Sequence, residues 1–504
     1  MCLSADGSIH GRTGGINGLS TFFQGAHGLA RLLFLIFTAI GLWMLPDYGV
    51  PLDEMTQRGI GIVNNQFINR GDMGILDHRY YGPIFETGSF WLEQLFSIQD
   101  ARHYLLLRHV LLFLICTSSI IAIYRIVFGM YNSAWMAIFA AGIYALHPRI
   151  FADNFYNSKD SLFMALFAWA LWHLYAWLST SRNTSFIWFC VVSGIMSTLR
   201  IQGLYLPALA GLCWIIIYHP ALKDALRYAG LGIAVCSLSL LVFYPYLWLN
   251  PIAHFTEVLF TASKFPWPWG TLTDGTYLWS KQTPWWYLPI WIGATTPVLF
   301  LVFILAGLIP WRFSKWQWML WTLLLTPVVL AVLMHAPMYD GWRHYFFLWP
   351  MCAILGAATL QQIRKWKKLQ LGLAGLTLMV ATLHVFRGHP LQMCFFNEVY
   401  PSGQKQLHER WEMDYWGLGY RKALEHLVAG RKDSVKVFAW DDGIWNNMQI
   451  MPLELQRKVL PVPRDSASFL IENIRGPKRQ GYPGTIVYSL QPYGDTTLVV
   501  FKQH

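Results

Sequence analysis

Two carboxylates stand side by side at Asp53-Glu54, in the segment PLDEMTQRGIG that follows the first long apolar run of the chain. A carboxylate at a membrane edge can take a proton from a hydroxyl about to act as a nucleophile, or ligate a divalent metal through oxygen. The pair could equally be the solvated start of a loop. A second acidic position, Asp160, follows Lys159 in FADNFYNSKD, with Asp153 just before. Asp160 stands where an apolar helix should begin and could be an N-cap, and Lys159 could snorkel to the interface. Together with Asp53 they would form a pocket with both signs of charge, suited to a phosphate-bearing ligand and a base. Cations that could meet such a ligand are Arg200 in TLRIQGLYL and Arg343-His344 in YDGWRHYF, beside Asp340. Arginine is the natural bidentate partner of a phosphate; for Arg200 an interhelix ion pair is the competing reading. Arg79 in LDHRYYGPIFE is a further cation, and its neighbours Tyr80 and Tyr81 could stack on a sugar or simply pack. Trp285 in QTPWWYLP reads first as an interfacial anchor and second as the lining of an acceptor groove. His147, His254 and His389 are isolated, without metal-ligand spacing.

The elements that must position these residues are membrane helices. Of the 504 residues, 55% are hydrophobic and only 13% charged, against about a quarter charged in ordinary soluble domains. The chain therefore reads as a polytopic α-helical membrane protein, with 26 Trp and 24 Tyr to furnish interfacial belts. Apolar runs near 29–46, 104–127, 134–147, 161–179, 186–199, 203–218, 228–248, 288–310, 316–335, 345–362 and 369–386 predict about eleven transmembrane helices. The third and fifth are short and need to be tilted or tucked within the bundle. The first run lacks a cleavage site and reads as an anchor.

Basic residues cluster in the breaks, at Arg182, Lys223, Arg227, Arg312, Lys315 and Arg364 to Lys368. The net charge of +11 is thus an orientation signal and implies no nucleic-acid partner. With the N-terminus cytoplasmic, segments 47–103, 148–160, 249–287 and 336–344 fall on the outer side. Residues 1–386 then form the membrane domain. Residues 387–504 form a small extracytoplasmic α/β domain, with a helix at RKALEHLVAG and strands at VKVFAW, TIVYSL and TLVVFKQ. Seven scattered cysteines suggest neither zinc nor a disulfide framework.

Acid after the first membrane helix, a second Asp at the start of a later helix and aromatic outer loops together resemble the GT-C glycosyltransferase superfamily. The closer resemblance is to bacterial phospholipid-carrier-dependent enzymes of the glycosyltransferase family 39 type, related to protein O-mannosyltransferases and aminoarabinose transferases. The pieces that carry it are PLDEMTQRGIG, HRYYGPIFE, HPRIFADNFYNSKD, TLRIQGL, QTPWWYLP and DGWRHYFFLWP, with HPLQMCFFNEVYPSG and DYWGLGY later. The resemblance implies an inverting transfer from a polyprenyl-phosphate sugar to a hydroxyl of a lipid, glycan or protein, in the bacterial inner membrane. It implies Asp53 as base, Glu54 as its support and Asp160 as the second acidic position. Lys159, Arg200, Arg343, His344 and Arg79 would face the donor phosphate, and Tyr80, Tyr81, Asp340 and Trp285 the sugar or acceptor. No cofactor is required; a divalent metal shared by Asp53 and Asp160 remains open. The chain departs from the pattern in lacking a long carbohydrate-binding insertion and the WWDYG motif of oligosaccharyltransferases. A transporter of lipid-linked sugars would place polar groups at the bilayer midplane, often in repeated halves; here they gather at one edge. A non-catalytic assembly subunit is the third reading.

Overall fold

The computed structural model describes residues 25–71, 80, 82–263, 268–280, 282–309, 314–400, 407–475 and 484–503. Each apolar run of the sequence is helical. Seven of the described helices are long and apolar enough to cross a membrane, eight if one bent pair counts as a single span. The most enclosed is Asp160–Thr180, with 61% of its apolar window buried, so this helix stands at the centre of the bundle. Leu222–Val242 and Lys367–Arg387, each 17% buried, turn most of their apolar surface outwards. The count of about eleven adds shorter pieces. Asn183–Leu199 has 17 residues and Trp349–Gln362 has 14. Tyr287–Thr295 and Val298–Gly307 are two halves of one apolar run, broken at Pro297, which has no N–H to carry a helix through.

Segments expected as outer loops are themselves ordered helices. Ala134–Ala145 is followed, after a bend of 67°, by Pro148–Tyr156. Proline at the first helical position suits a new start, and all nine residues of this helix are buried. Its polar residues turn inwards because partners wait there. Arg149 Nε donates to the Phe395 carbonyl at 2.9 Å, and its guanidinium lies 4.8 Å from the Phe396 ring centre. The first outer segment contains the helices Glu54–Arg70 and Ile84–Leu95, packed against each other. A Cβ at Gly61 would collide with the Glu86 carbonyl, so the two backbones meet where only glycine fits.

The C-terminal region forms a five-stranded sheet in the order Val459–Pro461, Val435–Phe438, Phe469–Asn473, Leu498–Lys502, Thr485–Leu490. The first three strands run parallel and the last two pair antiparallel. The helix Gly419–Val428 buries Tyr420, Leu424 and Leu427 in one core with Val437, Ile471 and Val500. The two strands Val459–Pro461 and Phe469–Asn473 were not anticipated from the sequence.

Helix direction sorts the bundle into two poles. Arg182, Lys223, Arg227, Lys315 and the run Arg364 to Lys368 sit at one set of helix ends. Asp53, Asp160, Arg200, Arg343 and the C-terminal domain sit at the other.

Candidate active site

Asp160 is the hub of a buried ion network. It opens the central helix, and Asn157 positions it by accepting from its backbone N–H at 2.9 Å and donating to its Oδ2 at 3.2 Å. The cap of this helix is therefore Asn157, and the Asp160 carboxylate is left to other partners. Arg200, the residue that ends Asn183–Leu199 in extended conformation, pairs with Oδ1. Arg343, at the start of the turn Arg343–Leu348, reaches Oδ2 at 3.1 Å. Arg343 also donates to Asp340 at 2.6 Å, and Asp340 in turn accepts from Arg475 of the C-terminal domain. Arg475 holds Glu412 at 2.6 Å, and Glu412 accepts from Thr271 at 2.8 Å. Alternating charges thus run without a break from the central helix to the outer hairpin Gly270–Trp279. The Nε atoms of Arg200 and Arg343 are enclosed and have no hydrogen-bond partner among the described residues. Buried cationic donors of that kind are costly unless an acceptor meets them.

Lys159 directly precedes Asp160 and feels the charges of Asp53, Arg200 and Arg343. Burial lowers its hold on its proton; the Asp53 charge opposes that, and Arg200 and Arg343 add to it. Asp53 itself is exposed, ahead of the Glu54–Arg70 helix, and makes no side-chain capping bond. Its neighbour points the other way. Glu54 is 3% exposed and pairs with Arg108 Nε at 2.5 Å. Arg108 also binds Glu86 at 2.5 Å and Ser89 at 2.8 Å. Glu86 accepts from Ser158 at 2.6 Å. A second polar chain therefore ties the Asp53 segment to the residue next to Lys159.

His344 is held well below its ordinary pKa by burial, then by Arg343 and Arg200. It is a neutral imidazole, so it offers a hydrogen bond to an anion and no charge. A divalent ion finds little here: both Asp160 oxygens face guanidinium groups. No three His, Cys, Asp or Glu side chains converge as a metal-binding group among the described residues. The charged donors that converge here are guanidinium groups.

Neither a family model nor a curated protein matches the sequence. Solved structures do. ArnT from Cupriavidus metallidurans in the apo state matches with a TM-score of 0.54 at 11% identity, over 95% of this chain and 98% of its own. The oligosaccharyltransferase of Archaeoglobus fulgidus in the apo form matches at 0.50 and 11% identity, over 87% of this chain and 69% of its own. Both are GT-C superfamily membrane glycosyltransferases. The chain has the GT-C fold.

On this GT-C scaffold the structure links Asp160, Arg200, Arg343 and Asp340 by direct ion pairs, and Lys159 and His344 adjoin Asp160 and Arg343 in the chain. Other candidates stand apart. Glu54 spends its carboxylate on Arg108. Tyr80 donates to Glu257 at 3.0 Å, and Trp285 is exposed, outside the ion network. Arg79 and Tyr81 lie outside the described residues. Sequence reasoning missed Arg108, Glu86, Glu412 and Arg475. Arg108 carried a readable signal, because an arginine inside the apolar run YLLLRHVLLFL demands a carboxylate partner.

Proposed function

We propose that this membrane protein is an inverting glycosyltransferase, taking its sugar from a polyprenyl-phosphate donor and transferring it to an acceptor hydroxyl at the pole that carries the C-terminal domain. The observation that carries the reading is the meeting of Arg200 and Arg343 on Asp160, at the pole where Lys159 and the exposed Asp53 also stand. Arginines gathered at a membrane edge suit a phosphate whose lipid chain stays in the bilayer. An exposed carboxylate beside it suits a base.

In the reaction, Asp53 accepts the proton of the acceptor hydroxyl. The oxygen attacks the anomeric carbon from the face opposite the phosphate. The bond from that carbon to the phosphate oxygen breaks, its electron pair stays on the phosphate, and the configuration inverts. The donor phosphodiester carries one negative charge and the departing phosphate up to two. Arg200, Arg343 and Lys159 therefore hold the product side more strongly than the ground state, which is what accelerates a step. Asp160 keeps both guanidinium groups oriented before donor arrives. The basic residues at the other pole support a cytoplasmic placement for that end and an extracytoplasmic one for the site, in a bacterial inner membrane.

The test is turnover by the purified full chain in liposomes, with a panel of polyprenyl-phosphate hexoses and pentoses on the side of the C-terminal domain. Release of polyprenyl phosphate with a glycosylated product supports the proposal. Movement of intact donor across the bilayer without cleavage would make the protein a transporter instead.

A further inference from the structure

Residues 48–52, the segment YGVPL, leave the first helix and end one residue before Asp53. Among the described residues this strap is held by the C-terminal domain through seven hydrogen bonds that are distant in sequence. The Tyr48 hydroxyl donates to Gln392 Oε1 at 3.0 Å, and Arg421 Nη1 donates to the Tyr48 carbonyl at 2.7 Å. Asn447 takes both backbone groups of Val50, accepting from its N–H at 2.9 Å and donating to its carbonyl at 3.1 Å. The side-chain amide thus pairs with Val50 as the peptide of a neighbouring strand would. Asn446 donates to the carbonyls of Pro51 at 3.2 Å and Leu52 at 3.0 Å, and Leu52 N–H donates to the Trp416 carbonyl at 3.0 Å. Val50 and Asn447 are both fully buried. A Cβ at Gly49 would lie 2.5 Å from Asn447 Oδ1 and from the Leu418 carbonyl, so the strap lies flat against the domain.

We propose that Asn447, helped by Asn446 and Arg421, is a positioning residue that fixes where the Asp53 carboxylate stands, making the C-terminal domain a working part of the site. The inference rests on the reading of Asp53 as the base. Proton transfer needs the base within hydrogen-bond reach of the acceptor oxygen, and a displacement of about 1 Å can cost about a hundredfold in rate. Glu54 anchors the C-terminal side of Asp53 through Arg108; these bonds anchor its N-terminal side, and losing them leaves the carboxylate held from one side alone. Asn447 touches neither the arginines nor Lys159 in its hydrogen bonding, so donor binding does not depend on it.

The test compares the full-length wild type with Asp53→Asn, Asn447→Ala and the double variant in liposomes, using the polyprenyl-phosphate sugar panel for turnover and polyprenyl phosphate alone as binding probe. Asn447→Ala should lower kcat about tenfold to a hundredfold, with donor KM and the thermal shift given by polyprenyl phosphate both within about twofold of wild type. The double variant should be no slower than Asp53→Asn alone, because Asn447 acts through Asp53. Gly49→Ala, which presses on the same contact from the other side, should give the same kcat-only loss. A wild-type kcat in Asn447→Ala beside an inactive Asp53→Asn would overturn the positioning role and leave the base in place. Full transfer by Asp53→Asn would overturn the base and this inference with it. If Asn447→Ala does not fold, Asn446→Ala carries the test, with about a threefold to tenfold loss of kcat expected and a wild-type kcat overturning the proposal.

Discussion

Replacing Arg200 by Gln removes one full charge from the ion network while sparing most of what holds the network together. Asp160 would keep Arg343 at 3.1 Å and the Asn157 amide at 3.2 Å. Breaking a buried ion pair outright costs about 3–5 kcal/mol because it strands a charge. Here the carboxylate is not stranded and the Arg200 side chain is 14% exposed, so the stability loss should stay near about 1 kcal/mol. The effect on catalysis should be larger. Losing one preorganised donor to a developing anion costs about 2.7–4 kcal/mol in well-studied sites. Arg200 already shares its charge with Asp160, so we expect the lower end of that range or somewhat less, about 2–3 kcal/mol, or a thirtyfold to 150-fold drop. Charge on the phosphate rises as the bond breaks, so kcat should fall more than donor KM rises. Arg200→Lys keeps the charge but not the planar fork, and should fall between the two. The assay is initial-rate release of polyprenyl phosphate in liposomes, with thermal unfolding of each variant alongside. Arg200→Gln turnover within about threefold of wild type, in a folded protein, would refute an active role for this guanidinium.

Three further outcomes follow from the same geometry. His344 is held neutral, so the pH profile of kcat/KM between about pH 6 and 8 should carry no limb that belongs to it. The lowered pKa means that the unfolded chain takes the proton first as pH falls, so His344 weakens the fold on the acid side only. A limb near pH 6.5 that disappears in His344→Asn would contradict this. Arg108→Leu leaves Glu54 and Glu86 buried together without their cation; it should cost about 3–5 kcal/mol, read as a large fall in unfolding temperature, whereas Trp285→Ala should change it little. Chelation with EDTA should leave turnover intact, since the Asp160 oxygens are committed to arginines; loss of turnover restored by magnesium or manganese would bring the metal back.

The sequence made the hub of the site legible for a physical reason. Asp160, Arg200 and Arg343 each stand at the end of an apolar run, where an ionised group is expensive and stands out. The pair Asp53-Glu54 could not be divided by inspection. Neighbours at the start of a helix project about 100° apart, so one faces water and the other Arg108, and which is which depends on a helix 54 residues away in sequence. Pro148–Tyr156 read as a loop because its Arg, Asp and Asn look solvated; Arg149 is met by Phe395 and Phe396 and Asp153 by Asn157. Arg475 and Asn447 were invisible. Their partners lie 135 and 397 residues away, and nothing local marks a polar residue in a small α/β domain as part of a membrane site. Short strands such as Val459–Pro461 escape periodicity for a simpler reason, having too few residues to alternate.

Asp53→Asn in the reconstituted full chain tests most directly whether Asp53 is the base of a glycosyl transfer. Because Asp53 is exposed and makes no capping bond, unfolding temperature and the thermal shift given by polyprenyl phosphate should match wild type. Transfer to the acceptor should fall by about 10²–10⁴-fold. Transfer at the wild-type rate by a folded Asp53→Asn protein would contradict the account.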